Sequence, residues 1–440
     1  MKLATPPRDP DASARRLLVL SVPAIAVGIV AALVLWTVDV IASALEGVLW
    51  DTVPGALGVD PSGWWTVLVL TVTGLAIGLV LTVAPGHGGP DSATTELTPP
   101  SLPLRALPGL AIVTILALAG GVSLGPENPV IAINATLIVA LLARLLPQVP
   151  AQISMLLATS ATIGALFDTP VAAALIFTGV VAAAKAGGSL WDRLFLPLAA
   201  AGAGAITMHL LGAPPFAFDL PAYPGPQAFD LLTGAAVAVG AVVVGLAALA
   251  AFPFVYRAFH AMRHPIIITT IGGFVLGLLG LLGGPITMFK GLEQMGELLQ
   301  NPDDYDGGQL AVIAGIKTIA LLVAASALFR GGRVFPATFI GVALGLLGHV
   351  LLPGMPLGLA VACGVLGMTL VVTRDGWVAL FLAVAIGGDI ALLPILSVIV
   401  LPAWLLVTGA PAFRIEPAPE GVAVTGTASG PDLPDAASAR

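Results

Sequence analysis

The stretch SLGPENPV, residues 123–130, places one glutamate, Glu127, between two prolines in the middle of an apolar run. A carboxylate in such a run is costly wherever water is excluded, so it calls for a partner or a task. The rest of the chain says that water is excluded. Of 440 residues, 58% are hydrophobic and 9% are charged, whereas soluble domains carry about a quarter charged residues. Windows such as Leu17–Trp36, Trp65–Val83, Leu107–Leu124, Leu231–Phe254, Leu310–Leu328, Pro336–Leu352 and Val378–Leu406 have the length and apolarity of membrane spans. The composition predicts an all-α, polytopic integral membrane protein in which Glu127 stands at a break in a span.

Several function classes fall away at this point. The net charge of −7 is thinly spread, and no basic stripe supports nucleic-acid binding. A single cysteine, Cys363, excludes an intrachain disulfide. His and Cys are too few for a usual structural metal site, and nothing calls for an organic cofactor. The segment 1–16 is polar and carries Lys2, Arg8, Arg15 and Arg16, which favour the cytoplasmic side. The apolar run after it outlasts a signal peptide's core, so it reads as a retained anchor. Residues 409–440 are rich in Pro, Gly, Ala and Ser and are expected to be a disordered tail. Between them, 17–408 is the membrane domain, with both termini expected on the cytoplasmic side of the cell membrane.

The informative places are the interruptions. Gly and Pro cut the apolar runs at 83–96, 123–130, 166–173, 282–291, 329–339 and 371–378. In lipid, irregular backbone survives only inside protein or beside a water-filled cavity. Broken helices that aim their N-termini at one point offer free N–H groups and a positive dipole end to an anion. The breaks also repeat. GPENP (Gly125–Pro129) and GRVFP (Gly332–Pro336) share Gly-x-x-x-Pro. Asp168 lies 39 residues past Pro129, and Asp375 lies 39 residues past Pro336. A Gly-Gly-Pro precedes each unit, at 88–90 and 283–285. The pattern predicts a duplicated architecture, with halves at about 17–213 and 228–408.

In these motifs the chain resembles the CLC chloride channels and chloride/proton antiporters, and within them the divergent bacterial YfeO-like ion-transport branch. The resemblance covers roughly 17–408. It implies two inverted halves of tilted, often non-spanning helices, a homodimer, and one pore per subunit. The family's first filter motif, Gly-Ser-Gly-Ile-Pro, corresponds to Gly86-His87-Gly88-Gly89-Pro90, with His87 in place of the serine. The second corresponds to Gly125-Pro126-Glu127-Asn128-Pro129, which puts Glu127 on the gating glutamate. The third corresponds to Gly332-Arg333-Val334-Phe335-Pro336, with the phenylalanine one place late. The resemblance thus implies anion contacts from His87, Gly88, Gly125, Asn128, Arg333, Val334 and Phe335. Gly86, Pro90, Pro129, Gly332 and Pro336 would hold the broken geometry.

The departures bear on mechanism. Pro126 removes a basic side chain and a backbone N–H. The family's pore tyrosine is missing, because Tyr223, Tyr256 and Tyr305 all lie far from the C-terminal helices. The internal proton-transfer glutamate of antiporter members is also missing, with Gly179 and Val180 in the matching stretch. Transport of a small inorganic anion, chloride or similar, is the expected function, and no enzymatic activity is expected. Proton-coupled exchange, or fluoride export on the same fold, is the alternative.

Each residue also has a plainer reading. Glu127 could simply cap a helix. His87 could tune an anion's field near neutral pH, or be a polar loop residue. Arg333 could face the pore or snorkel, and Arg330 is expected at the interface. Lys317, inside a span, is expected to find a structural ion pair. Asp168 and Asp375 are expected to cap helices. A different class, an intramembrane aspartyl protease, is suggested by Gly387-Gly388-Asp389 and would need a second carboxylate beside Asp389. A scaffold whose glycines serve helix packing alone leaves Glu127 unexplained.

Overall fold

A computed structural model describes residues 14–95, 101–183, 190–213, 216 and 218–416. The expected N-terminal segment up to residue 13, and the tail beyond residue 416, lie outside them. The described chain is helical throughout: α1 (Ala14–Gly47), α2 (Val53–Leu57), α3 (Trp64–Val83), α4 (Leu107–Ala119), α5 (Glu127–Leu145), α6 (Ala151–Leu166), α7 (Pro170–Ala183) and α8 (Leu190–Leu210). Then come α9 (Ala228–His260), α10 (Pro265–Gly283), α11 (Leu292–Gln300), α12 (Gly307–Ser326), α13 (Val334–Leu351), α14 (Leu357–Thr373), α15 (Gly376–Gly387) and α16 (Leu393–Thr408). A π-helical turn, Val48–Thr52, joins α1 to α2.

Nine of the described helices are long and apolar enough to cross a membrane, and the protein is multi-pass. The rest are too short. The 13 residues of α4 reach about 20 Å at 1.5 Å per residue, less than a hydrocarbon core of about 30 Å. Two of the predicted spans are accordingly shorter in the structure. Leu107–Leu124 is helical only to Ala119, and Val378–Leu406 is cut by Gly388 (φ 74°) into α15 and α16. A glycine in the left-handed region ends a helix without steric cost.

The duplication is visible in the packing. In the first half α1 packs on α6 and α8, and α5 packs on α4 and α6. In the second half α9 packs on α14 and α16, and α13 packs on α12 and α14. The broadest contact joins counterparts, α3 on α10. There Gly74 and Gly273 let the backbones touch, since a methyl at either would sit 2.1 Å from a carbonyl oxygen of the other helix. The two Gly-x-x-x-Pro breaks meet as an antiparallel bridge, with reciprocal N–H···O bonds between Gly125 and Gly332 of 2.8 and 2.7 Å.

The C-terminal expectation needs a correction. Residues 410–416 are not a free tail: they fold back onto the core. Phe413 is buried and stacks on Phe252 at 5.0 Å, and the Ile415 N–H donates to the Ala93 carbonyl. Arg374 donates to the carbonyls of Thr408, Ala410 and Pro411. Carbonyls past a helix end need donors, and here an arginine provides them.

Candidate functional site

The site begins with two helix N-termini. No side chain caps α5 from Pro126 or α13 from Arg333, so their first N–H groups look for acceptors. For α13 the acceptor is Glu127. Its side chain is fully buried, and its Oε1 takes the Val334 N–H at 2.7 Å, from the other half of the chain. Each helix start carries about half a positive charge, so the carboxylate sits where two such fields add. Its Oε2 is buried with no hydrogen-bond partner among the described residues.

Both bridge glycines are required to make room. A methyl on Gly332 would lie 2.0 Å from the Glu127 carboxyl carbon. One on Gly125 would lie 2.0 Å from Oε2 and 3.0 Å from the Phe335 ring. Phe335 stacks on Phe167 at 5.9 Å and meets Phe216 edge-on at 5.6 Å, which fixes its ring.

Of the residues singled out in the sequence, Gly125, Glu127, Asn128, Val334 and Phe335 gather here, with Pro129, Gly332 and Pro336 in the same turns. A cavity of about 10 Å³, near the size of one water, is lined by Pro90, Asn128, Pro129 and Gly331, so all three breaks converge. Ser92, also in its wall, was not singled out. Its buried hydroxyl accepts the Gly331 N–H at 2.9 Å and lies 2.7 Å from the Phe329 carbonyl. Its only sequence signal was a small polar residue just after the first motif.

His87 and Gly88 do not join them. The His87 side chain is exposed, with Nδ1 3.1 Å from the Leu81 carbonyl. The carbonyls of His87 and Gly88 accept from Arg330. Arg330 is thus not interfacial: it is buried, spans from Leu328 to the first motif, and lies 3.8 Å from Asp91. Arg333 is buried as well, but its guanidinium donates to the carbonyls of Thr95 and Phe413. It anchors the C-terminal segment with its hydrogen bonds instead of pointing them at Glu127.

Lys317 corrects a further expectation. It is fully buried, and among the described residues its ammonium meets no carboxylate. Instead it donates to the carbonyls of Met288 (2.7 Å) and Phe289 (2.8 Å) and lies 5.0 Å from the Phe339 ring centre. Asp375 caps α15 through the N–H groups of Trp377 and Val378. Asp168 does not cap its helix: it adopts φ 53°, and the Thr169 hydroxyl takes the Val171 N–H instead. Asp389 accepts N–H bonds from Ala391 and Tyr223, which hold its carboxyl below the usual carboxylate range. A half-buried carboxylate used in this way has, among the described residues, no second carboxyl hydrogen-bonded to it, which an aspartyl protease requires. The tyrosines serve elsewhere, Tyr223 on Asp230 and Tyr305 on Glu297. Gly179 and Val180 fall within α7, with their side chains outside the described set.

Known proteins share this fold. The family model described as Voltage gated chloride channel matches residues 72–408. A relative from Escherichia coli (strain 55989 / EAEC), named "Putative ion-transport protein YfeO", is 47% identical over 403 residues, 91% of this chain and 96% of the relative. The chain also superposes on a CLC-type fluoride/proton antiporter, with TM-score 0.69, 20% identity, and coverage of 91% of this chain and 98% of the other. A slow cyanobacterial Cl⁻/H⁺ antiporter gives TM-score 0.74, 14% identity, and coverage of 90% and 96%. At these identities the two structures speak for the fold. With the family model matching most of the chain and a relative at 47% identity, the protein belongs to the voltage gated chloride channel family.

Proposed function

We propose that this protein carries a small inorganic anion across the membrane through the meeting point of α5 and α13, with Glu127 as the gate. The observation that carries the reading is the Glu127 carboxylate seated on the Val334 N–H, at the point where two helix N-termini converge. A tethered carboxylate held there is a stand-in for a free anion. A mobile anion takes the seat when the side chain leaves, and protonation weakens its hold by removing the charge. The same group then alternates between proton and anion, which is the requirement for coupled exchange. Two proteins of similar structure, one a fluoride/proton and one a Cl⁻/H⁺ antiporter, make fluoride and chloride the first anions to try. A homodimer, a cell-membrane location and cytoplasmic termini complete the proposal, on the family likeness and the basic N-terminal segment.

The test is purified protein in liposomes loaded with one anion at a time, recording anion efflux and lumenal pH together for wild type and Glu127→Ala. Flux coupled to protons, and uncoupled by the substitution, supports an exchanger gated by Glu127. Flux without proton movement makes it a channel. No flux of any small anion from vesicles holding folded protein overturns the reading.

A further inference from the structure

The Glu127 site is approached from one side by a cavity of about 60 Å³ whose wall includes Pro126 and Phe335, next to the gate, together with Asp168, Asp39 and Lys290. One water needs about 10–15 Å³, so a small hydrated ion has room here. A second cavity, of about 20 Å³, is lined by Ser43, Glu46 and Glu293 and again by Asp39 and Lys290. The Lys290–Asp39 pair is common to both walls. Its Nζ–Oδ1 distance is 3.0 Å, with the lysine side chain 20% exposed and the aspartate 40%. Asp39, Lys290, Ser43, Glu46 and Glu293 were not singled out in the sequence.

Lys290 is presented with care. Its loop follows α10 and is held from three directions. Lys317 takes the Met288 and Phe289 carbonyls, the Phe289 N–H donates to the Gly121 carbonyl, and Trp50 packs edge-on against the Phe289 ring at 5.5 Å. Trp50 belongs to the π-helical turn beside Glu46, and such turns recur at functional sites. Phe289 (φ 57°) and Gly291 (φ 99°) flank the lysine in the left-handed region. A buried cation, a π turn and a strained non-glycine residue all serve to fix one half-exposed ammonium group.

Charge defines its use. Around the two cavities Lys290 stands among four carboxylates: Asp39, Asp168, Glu46 and Glu293. Without it the titratable side chains in these two walls are all acidic, which disfavours an anion. With it the anion finds a cation held by a weak partner, since solvent screens a partly exposed pair. Resting on the transport reading above, we propose that Lys290 is the receiving site for the anion on its way to Glu127. Asp39 is its tethered competitor, and closes the cation between passages.

The experiment uses the full chain in liposomes, with chloride and fluoride tested separately. Lys290→Gln is expected to raise the half-saturating anion concentration by about fivefold, the upper end for one half-exposed charge pair. Asp39→Asn is expected to lower it, and the double substitution to follow Lys290→Gln. Charge itself is tested with Lys290→Cys. Cys363, the one native cysteine, is fully buried, so a thiol reagent reads position 290. A cationic methanethiosulfonate should restore the wild-type concentration dependence, and an anionic one should worsen it. If Glu127→Ala alters flux while the Lys290 and Asp39 variants keep the wild-type concentration dependence, the receiving-site proposal is overturned and the gate stands. If wild type carries no anion, it is the transport reading that fails.

Discussion

Replacing Gly332 with alanine should drive the Glu127 carboxylate off its seat. An added Cβ would lie 2.0 Å from Cδ, 2.1 Å from Oε1 and 2.3 Å from Cγ of Glu127, far inside van der Waals contact. The backbone cannot easily yield, because Gly332 is bridged to Gly125 by two hydrogen bonds. Gly332 is not among the residues with positive φ, so alanine itself is not strained there. The side chain of Glu127 is what must move, and it loses the charged hydrogen bond to Val334. Such a bond contributes about 1.5–3 kcal/mol. At about 1.4 kcal/mol per tenfold, the seated form becomes roughly 10- to 100-fold less populated. In liposomes Gly332→Ala should therefore give anion flux with weakened proton coupling, close to Glu127→Ala. The double variant should add nothing to Glu127→Ala, since both act through one side chain. Wild-type coupling in a folded Gly332→Ala protein would refute the reasoning, and so would an equal effect of Gly332→Ala in the Glu127→Ala background.

Three further outcomes are expected. Lys317→Met should lower the thermal midpoint in detergent, since each buried carbonyl left without a donor costs about 1–3 kcal/mol, and it should loosen the loop that carries Lys290. Asp389→Asn should leave anion flux unchanged, because the residue accepts backbone N–H groups of Ala391 and Tyr223 at a turn away from Glu127, and the flux assay checks this directly. Ending the chain after residue 409 should destabilise the protein in detergent by about 3 kcal/mol, read from its melting profile, because buried Arg333 then loses the Phe413 carbonyl and ring.

Local rules explain what could be read in advance. A membrane chain cannot leave backbone groups unpaired, so Gly and Pro inside apolar runs mark breaks wherever they occur. Glu127, its flanking prolines, and the glycines 125 and 332 were legible for that reason. Side-chain direction was not. Arg330 and Arg333 are three residues apart and look alike in sequence, yet one closes on the His87 loop and the other on Thr95 and Phe413. Asp168 and Asp375 sit at equal distances from matched prolines, yet only Asp375 caps a helix.

The sequence by itself determined that the chain is a membrane protein, that its helices are broken and duplicated, and that one carboxylate sits at a break. Composition and short-range backbone constraints suffice for each of these. Tertiary structure alone decided what that carboxylate touches. It alone brought Lys290 within 3.0 Å of Asp39, 251 residues earlier in the chain, and sent Lys317 to two carbonyls instead of an acid. In a low-dielectric interior every buried charge must find a partner, but nothing local dictates which part of the chain supplies it.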